Sequence, residues 1–262
     1  MRKIDFNSGW MFRKDEEEEK AAVPVRLPHD AMLTEERTLN CHNGDKTGYF
    51  PGGKYVYEKV FELERFNEDE VTELLFEGVY QKCKVWVNGR LAGKHRYGYT
   101  PFLVNITEYI REGENKIKVS VDNSLEPNCR WYSGSGIYRP VWMRFHDKNY
   151  IEAVKIITTS YNPPEIAVEV RTTGNAPAII EIFDGERKLA EGTPGKIQLP
   201  TAELWSADTP KLYTCHVKTK KDEAQIRFGI RRLEWSAKTG LLVNGKETLL
   251  RGGCIHHDHG VL

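Results

Sequence analysis

Residues 54–63 read KYVYEKVFEL, and the alternation within them decides the fold class. Tyr55, Tyr57, Phe61 and Leu63 share one face of an extended chain, while Glu58 and Glu62 lie on the other. That period of two is the pattern of a strand with one buried side. Toward the C-terminus, residues 66–70 (FNEDE) supply a turn, a strand begins at 74–76, and Cys83, Val85 and Val87 mark another. Asn88-Gly89 then predicts a tight hairpin, because both positions accept positive φ, and it leads into residues 90–95. Runs at 97–106 and 115–121 add two more strands. Many short strands, hairpin turns and no convincing amphipathic helix indicate a β-sandwich.

Toward the N-terminus the pattern fades, and residues 1–50 read as irregular. Residues 15–20 (DEEEEK) are a charge run expected to form a solvated loop. In 23–30 (VPVRLPHD) two prolines force extended backbone, and the run ends on His29-Asp30. A His-Asp pair is two thirds of a catalytic triad, but no Ser or Cys nucleophile motif accompanies it, so it reads as a loop packing element.

Beyond the first strands, residues 123–142 read NSLEPNCRWYSGSGIYRPVW. The segment 133–136 (SGSG) is expected to be a flexible turn between a polar-aromatic loop and a strand holding Ile137, Val141, Met143 and Phe145. Sugars are bound by aromatic faces and by planar hydrogen-bond donors, which Trp131 and Arg130 supply. The plainer reading places Trp131 in the core and pairs Arg130 with a surface carboxylate. From residue 150 a second set of strands begins, at 151–159, 165–171, 178–183, 211–218 and 224–230, with Asp184-Gly185 as a turn. About 85 residues with roughly seven short strands suit an immunoglobulin-like sandwich.

The chain ends on 241–262, LLVNGKETLLRGGCIHHDHGVL. Leu241 and Val243 alternate up to the Asn244-Gly245 turn, and a second run at 248–251 leaves it. Gly252-Gly253 then precede Cys254, His256, His257, Asp258 and His259. On an extended strand His256 and Asp258 share one face, while His257 and His259 take the other. A metal site built from this cluster alone is therefore disfavoured, and none is assigned. A neutral imidazole donates at one nitrogen and accepts at the other, which suits a sugar diol.

Composition sets limits. At 262 residues the chain is long enough for two domains. Lys+Arg and Asp+Glu both number 38, so no whole-chain field draws in nucleic acid or an anionic membrane. No apolar run approaches the roughly 20 residues of a membrane-spanning helix. The five cysteines are widely spaced without a C-x-x-C pair, which argues against a disulfide framework or zinc ribbon. The N-terminal MRKIDFNSGW lacks the apolar stretch of a signal peptide, so a cytoplasmic protein is expected.

Several phrases resemble glycoside hydrolase family 2, the family of β-galactosidases and β-glucuronidases. They are LPHD (27–30), VWVNGRLAGKHRYGYTPF (85–102), RWYSGSGIYR (130–139), LWSADTPKLY (204–213), RFGIRRLEW (227–235) and VNGKETLLRG (243–252). The resemblance covers nearly the whole chain, in order. It implies an all-β chain: a galactose-binding-like jelly-roll sandwich over 1–148 and an immunoglobulin-like sandwich over 149–235. Residues 236–262 would open a truncated TIM barrel, the (β/α)₈ catalytic domain. It further implies that Arg130 and Trp131 reach the mouth of the active site, that His256 hydrogen-bonds substrate hydroxyls, and that Asp258 fixes its tautomer or holds a cation nearby. The phrase at 130–139 favours galactose over glucuronic acid. Cys254-Ile255 departs from the polar Asn-Arg common before the family's histidine.

The implied parent cleaves terminal β-galactosides with retention, through two glutamates on later barrel strands that nothing here replaces. Asn67-Glu68 echoes the family's acid/base but falls in a charged hairpin. No catalytic residue is therefore assigned to this chain, which alone would be inactive. No cofactor is expected in it, and a divalent or monovalent cation is left open for the full-length enzyme. The expected partner is a β-galactoside, with neither nucleic acid nor membrane, and a homo-oligomeric parent fits the family. The alternatives are a stand-alone carbohydrate-binding β-sandwich protein and the front end of a β-glucuronidase or β-mannosidase.

Overall fold

The computed structural model describes residues 2–41, 44–65, 67, 69–125 and 134–254. These divide into two compact units, 2–145 and 146–253. The expected sugar contacts Arg130, Trp131, His256 and Asp258 lie outside the described residues.

The first unit is built from β1 (Arg2–Asp5), β2 (Trp10–Lys14), β3 (Val23–Val25), β4 (Lys54–Leu63), β5 (Glu70–Phe76), β6 (Lys82–Val87), β7 (Arg90–His95), β8 (Phe102–Asn105), β9 (Gly113–Asp122) and β10 (Val141–Asp147). They form a six-stranded sheet, ordered β3-β2-β4-β9-β6-β7, and a four-stranded sheet, ordered β1-β10-β5-β8. The alternation read from the sequence is the packing pattern. On β9, Ile117, Val119 and Val121 are buried against Tyr55 and Tyr57 of β4 and Val85 and Val87 of β6, while Lys116 and Lys118 face outward. Each such apolar side chain contributes about 1.5–3 kcal/mol on burial. The Asn88-Gly89 hairpin forms with φ of 49° and 79°, and the Asn88 amide donates to the Tyr109 carbonyl and to Asn115 Oδ1, both at 2.9 Å.

Residues 1–50 are more regular than their sequence suggests, since they contain β1, β2 and β3. Only Trp10 and Phe12 carry the alternation in β2, too few to register as a pattern, yet both are buried and β2 is paired on both sides. Pro24 is accommodated because β3 is an edge strand. The expected run at 97–106 shortens to β8, beginning after Pro101, whose missing N–H cannot serve a ladder. The acidic run at 15–20 is exposed, as its charge demands, but it is tied down: the Arg13 guanidinium donates to the Glu17 carbonyl at 2.9 Å, and Glu19 pairs with Lys116 at 2.9 Å.

The second unit contains β11 (Ile151–Tyr161), β12 (Pro164–Thr172), β13 (Ile179–Asp184), β14 (Arg187–Gly192), β15 (Gly195–Gln198), β16 (Tyr213–Lys218) and β17 (Glu223–Phe228). Two antiparallel sheets, β11-β12-β15 and β14-β13-β16-β17, enclose Ile166, Val168, Ile180, Ile182, Tyr213, Cys215 and Val217. A small sheet follows, of β18 (Leu233–Ser236), β19 (Gly240–Val243) and β20 (Lys246–Glu247). The Asn244-Gly245 turn forms, with φ of 52° and 78°. Its second strand is β20 rather than the run at 248–251: Val243 pairs with Lys246, a register that places the ladder directly after the turn. Both units are thus β-rich, the all-β class expected, and no long apolar helix is present among the described residues.

Candidate functional site

The segment 126–133, which carries Arg130 and Trp131, springs from two described ends, and the structure shows how both are held. On the outgoing side, Asp122 closes β9: its carboxylate accepts from the Ser124 N–H at 3.0 Å and from the Ser124 hydroxyl at 2.6 Å. Burial works against ionising Asp122, but the Ser124 hydrogen bonds, with help from the Lys54 and Lys82 charges, hold its carboxyl below the usual range. Asn123 is fully buried; its N–H donates to the Gly53 carbonyl at 2.8 Å, and its amide reaches the Gly134 carbonyl at 3.4 Å. The residues on either side of 126–133 are therefore bonded to one another.

The returning side, residues 134–137, is clamped by the LPHD segment from the opposite end of the sequence. The His29 N–H donates to the Ile137 carbonyl at 2.9 Å, and the Ala31 N–H to the Ser135 carbonyl at 2.8 Å. Asp30 Oδ1 accepts from the backbone N–H of Met32 at 3.0 Å and of Ser135 at 2.9 Å, across 105 positions of sequence in the latter case. Tyr80 and Gly136 exchange a reciprocal pair of backbone bonds at 2.9 and 2.8 Å. His29 Nδ1 lies 2.9 Å from the Tyr57 hydroxyl, with its ring 4.6 Å from that of Phe12. Burial lowers the His29 pKa, with Asp30 opposing, so the imidazole is neutral at neutral pH. Tyr57 is pushed well up by burial and keeps its proton.

Gly134 and Gly136 make room for this clamp, a role the expectation of a flexible turn did not include. A Cβ on Gly134 would sit 2.4 Å from Asp30 Oδ2; one on Gly136, at φ +96°, would sit 2.1 Å from the Tyr57 hydroxyl. The fully buried Tyr57 cannot yield to the second contact, and the first would displace the Asp30 carboxylate that accepts from Ser135. Sequence reading noticed both LPHD and SGSG but had no means of knowing that they meet. Next to this clamp, Glu35 accepts from Lys14 Nζ at 2.8 Å and from the Tyr55 hydroxyl at 3.3 Å, and that hydrogen bond raises the Lys14 pKa. The cluster offers polar anchoring and a neutral imidazole. Among the described residues no group of three or more His, Cys, Asp or Glu could hold a metal ion.

In the second unit, the approach to residues 255–262 is organised by Asn244. Its Oδ1 accepts from the Arg232 N–H at 2.9 Å and its amide donates to the Trp205 carbonyl at 2.9 Å. Three large apolar side chains of the same C-terminal stretch are exposed: Trp235 at 75%, Leu249 at 77% and Leu250 at 73%.

Residues 7–146 match the family model described as "Glycosyl hydrolases family 2, sugar binding domain", and residues 143–231 match the one described as "Glycosyl hydrolases family 2". A β-galactosidase of Bacteroides ovatus is 30% identical over 98% of this chain, which spans 35% of that protein. A β-glucuronidase of Streptococcus agalactiae is 26% identical over 88% of this chain, which spans 44% of that protein. The crystal structure of a glycosyl hydrolase family 2 member from Bacteroides cellulosilyticus superposes with a TM-score of 0.84 at 30% identity, covering 99% of this chain and 39% of that one. The chain thus spans well under half the length of these relatives.

Proposed function

Because the chain belongs to glycoside hydrolase family 2, we propose that it is the front part of a longer retaining β-galactosidase and shapes the rim of that enzyme's pocket. One observation carries the reading: the residues flanking 126–133 are held by Asp30, Gly134, Gly136 and Asn123. A loop that presents sugar-binding groups must be preorganised to contribute affinity, because ordering it on binding would cost conformational entropy. In this reading Trp131 stacks on the C–H face of a terminal galactose and Arg130 donates to its hydroxyls. His256 donates to a further hydroxyl, and Asp258 sets the histidine tautomer. In this reading residues 1–148 form the sugar-binding sandwich, 149–235 the immunoglobulin-like spacer and 236–262 the start of the catalytic barrel domain.

Hydrolysis itself falls to two glutamates outside this chain. Retention requires their carboxyl groups about 5–5.5 Å apart, one as nucleophile and one as acid/base. The exposed Trp235, Leu249 and Leu250 support the longer enzyme over a free-standing sugar-binding module, since a module would leave that apolar group in water.

The test is the extended polypeptide assayed with chromogenic β-galactoside, β-glucuronide and β-mannoside. Preference for the galactoside, with Trp131→Ala raising KM, supports the reading; preference for the glucuronide overturns the choice of sugar. Residues 1–262 alone are expected to show no turnover, and robust turnover would contradict the placement of the catalytic glutamates elsewhere.

A further inference from the structure

The outward face of the six-stranded sheet handles its lysines in two ways. At one end Lys116 pairs with Glu19 at 2.9 Å and Glu58 at 3.1 Å. At the other, a groove of about 550 Å³ is lined by Lys54, Lys82, Lys84, Lys94 and Arg96, over Ser120. Among the described residues Lys82, Lys84, Lys94 and Arg96 form no ion pair. Two carboxylates also line the groove, Asp15 and Asp122; Asp122 accepts from Ser124 and stands opposite both Lys54 and Lys82 in the ladders. The cations outnumber them by three.

This arrangement costs the fold something. Lys84 stands directly opposite Lys94 in the β6–β7 ladder, and like charges directly opposed across strands destabilise a sheet. A lysine on an edge strand discourages edge-to-edge aggregation, which accounts for Lys94 on β7. That explanation does not reach Lys84, since β6 lies between β9 and β7 and Lys84 faces Ser120 on β9, whereas Lys82 stands opposite Asp122. The Lys84 charge makes sense if something negative lies over it.

Further along β6 the same face presents Trp86, two positions beyond Lys84. It lines the adjoining hollow with Gly89, Glu58, Lys116 and Lys118, and the Lys118 ammonium lies 5.9 Å from its ring centroid. From Lys82 to Trp86 the strand covers about 13 Å at 3.3 Å per residue. A chain laid along it would meet cations first and an aromatic face afterwards. Ammonium and guanidinium groups select carboxylates, and an indole face selects the C–H surface of a sugar ring. We propose that the outward face of β6, between the Lys84–Lys94 groove and Trp86, binds an acidic oligosaccharide built of uronate units. Nucleic acid is the poorer fit: the chain's net charge is zero, and one indole is not the series of stacking platforms that single strands use. The proposal is separable from the galactoside reading, because Lys84, Lys94 and Trp86 take no part in holding 126–133, although Asp122, Lys54 and Lys82 border both.

The experiment is calorimetric titration of residues 1–262 with an oligogalacturonate, a neutral β-galactan oligomer and oligo(dT). Oligogalacturonate is expected to bind, and Lys84→Glu with Lys94→Glu to weaken it about tenfold or more, since like charge then faces like. Trp86→Ala is expected to weaken it while leaving the salt dependence unchanged, because it removes stacking and no charge. The charge-neutral pair Lys84→Gln and Lys94→Gln repeats the test without new repulsion, with circular dichroism as the check on folding. No binding of oligogalacturonate, equal binding of oligo(dT), or binding indifferent to the lysine variants overturns the proposal. Neutral galactan binding that ignores Lys84 and Lys94 overturns it as well. No hydrolysis is measured, so the outcome is independent of the activity assay.

Discussion

The loop base of the first sandwich and the hairpin that ends the second are both fastened by one polar side chain, but over very different distances. Asp30 reaches Ser135, 105 residues away, and relies on two glycines to let the segments touch. Asn244 ties Arg232, 12 residues away, and Trp205, 39 away, from within a turn that its own Asn-Gly signature forms. A distant clamp exists only when the whole sandwich is folded, whereas a turn is favoured by its own dihedral angles. Damage to the first should therefore lower global stability, and damage to the second should stay local.

The most severe break is Gly136→Ala. A Cβ meeting the buried Tyr57 hydroxyl at a positive φ should cost about 3 kcal/mol or more, read as a lower urea midpoint for the first sandwich. Asp30→Ala removes the acceptor for two backbone N–H groups and should cost about 1–3 kcal/mol in the same measurement. Asp30→Asn, which keeps one acceptor oxygen, should recover part of the loss. Asn244→Ala should cost about 1 kcal/mol, and hydrogen exchange should quicken around 232–247 while the β13–β16 core stays protected. If exchange quickened throughout the unit, the contrast between distant clamp and local turn would fail.

The mildest effect at neutral pH concerns Cys83, buried under the six-stranded sheet. Burial pushes its thiol from an ordinary 9.0 up to about 12. Since the folded value lies above the unfolded one, its contribution is complete below pH 9.0 and is lost as pH rises toward about 12. Cys83→Ala should flatten that part of the stability profile, measured by denaturant titration between those limits. Exposed Cys254 should react with iodoacetamide in the native state, while Cys83 and Cys215 should not.

Much of the sheet structure could be read in advance where alternation was dense. In β4, β6 and β9 nearly every inward position is apolar, so the buried face announces itself. In β2 the signal rests on Trp10 and Phe12 alone, and pairing with β3 and β4 makes the strand. The 248–251 run was misplaced for a related reason: apolar Leu249 and Leu250 look like strand residues, yet both are exposed and the ladder is spent on Lys246 and Glu247. The sugar-contact candidates Arg130, Trp131, His256 and Asp258 came from family phrases, because no local spacing singles them out.

Taken alone, the chain's order of residues determined the all-β class, the Asn-Gly hairpins and the membership of a sugar-cleaving family, since each depends on short-range pattern or on whole phrases. Only the tertiary structure decided that LPHD grips the residues at 134–137, that Gly134 and Gly136 make room for it, and that Lys84 confronts Lys94 without a counter-ion among the described residues. Those facts are contacts between segments remote in sequence, and such contacts come into being only when two sheets close on a common core.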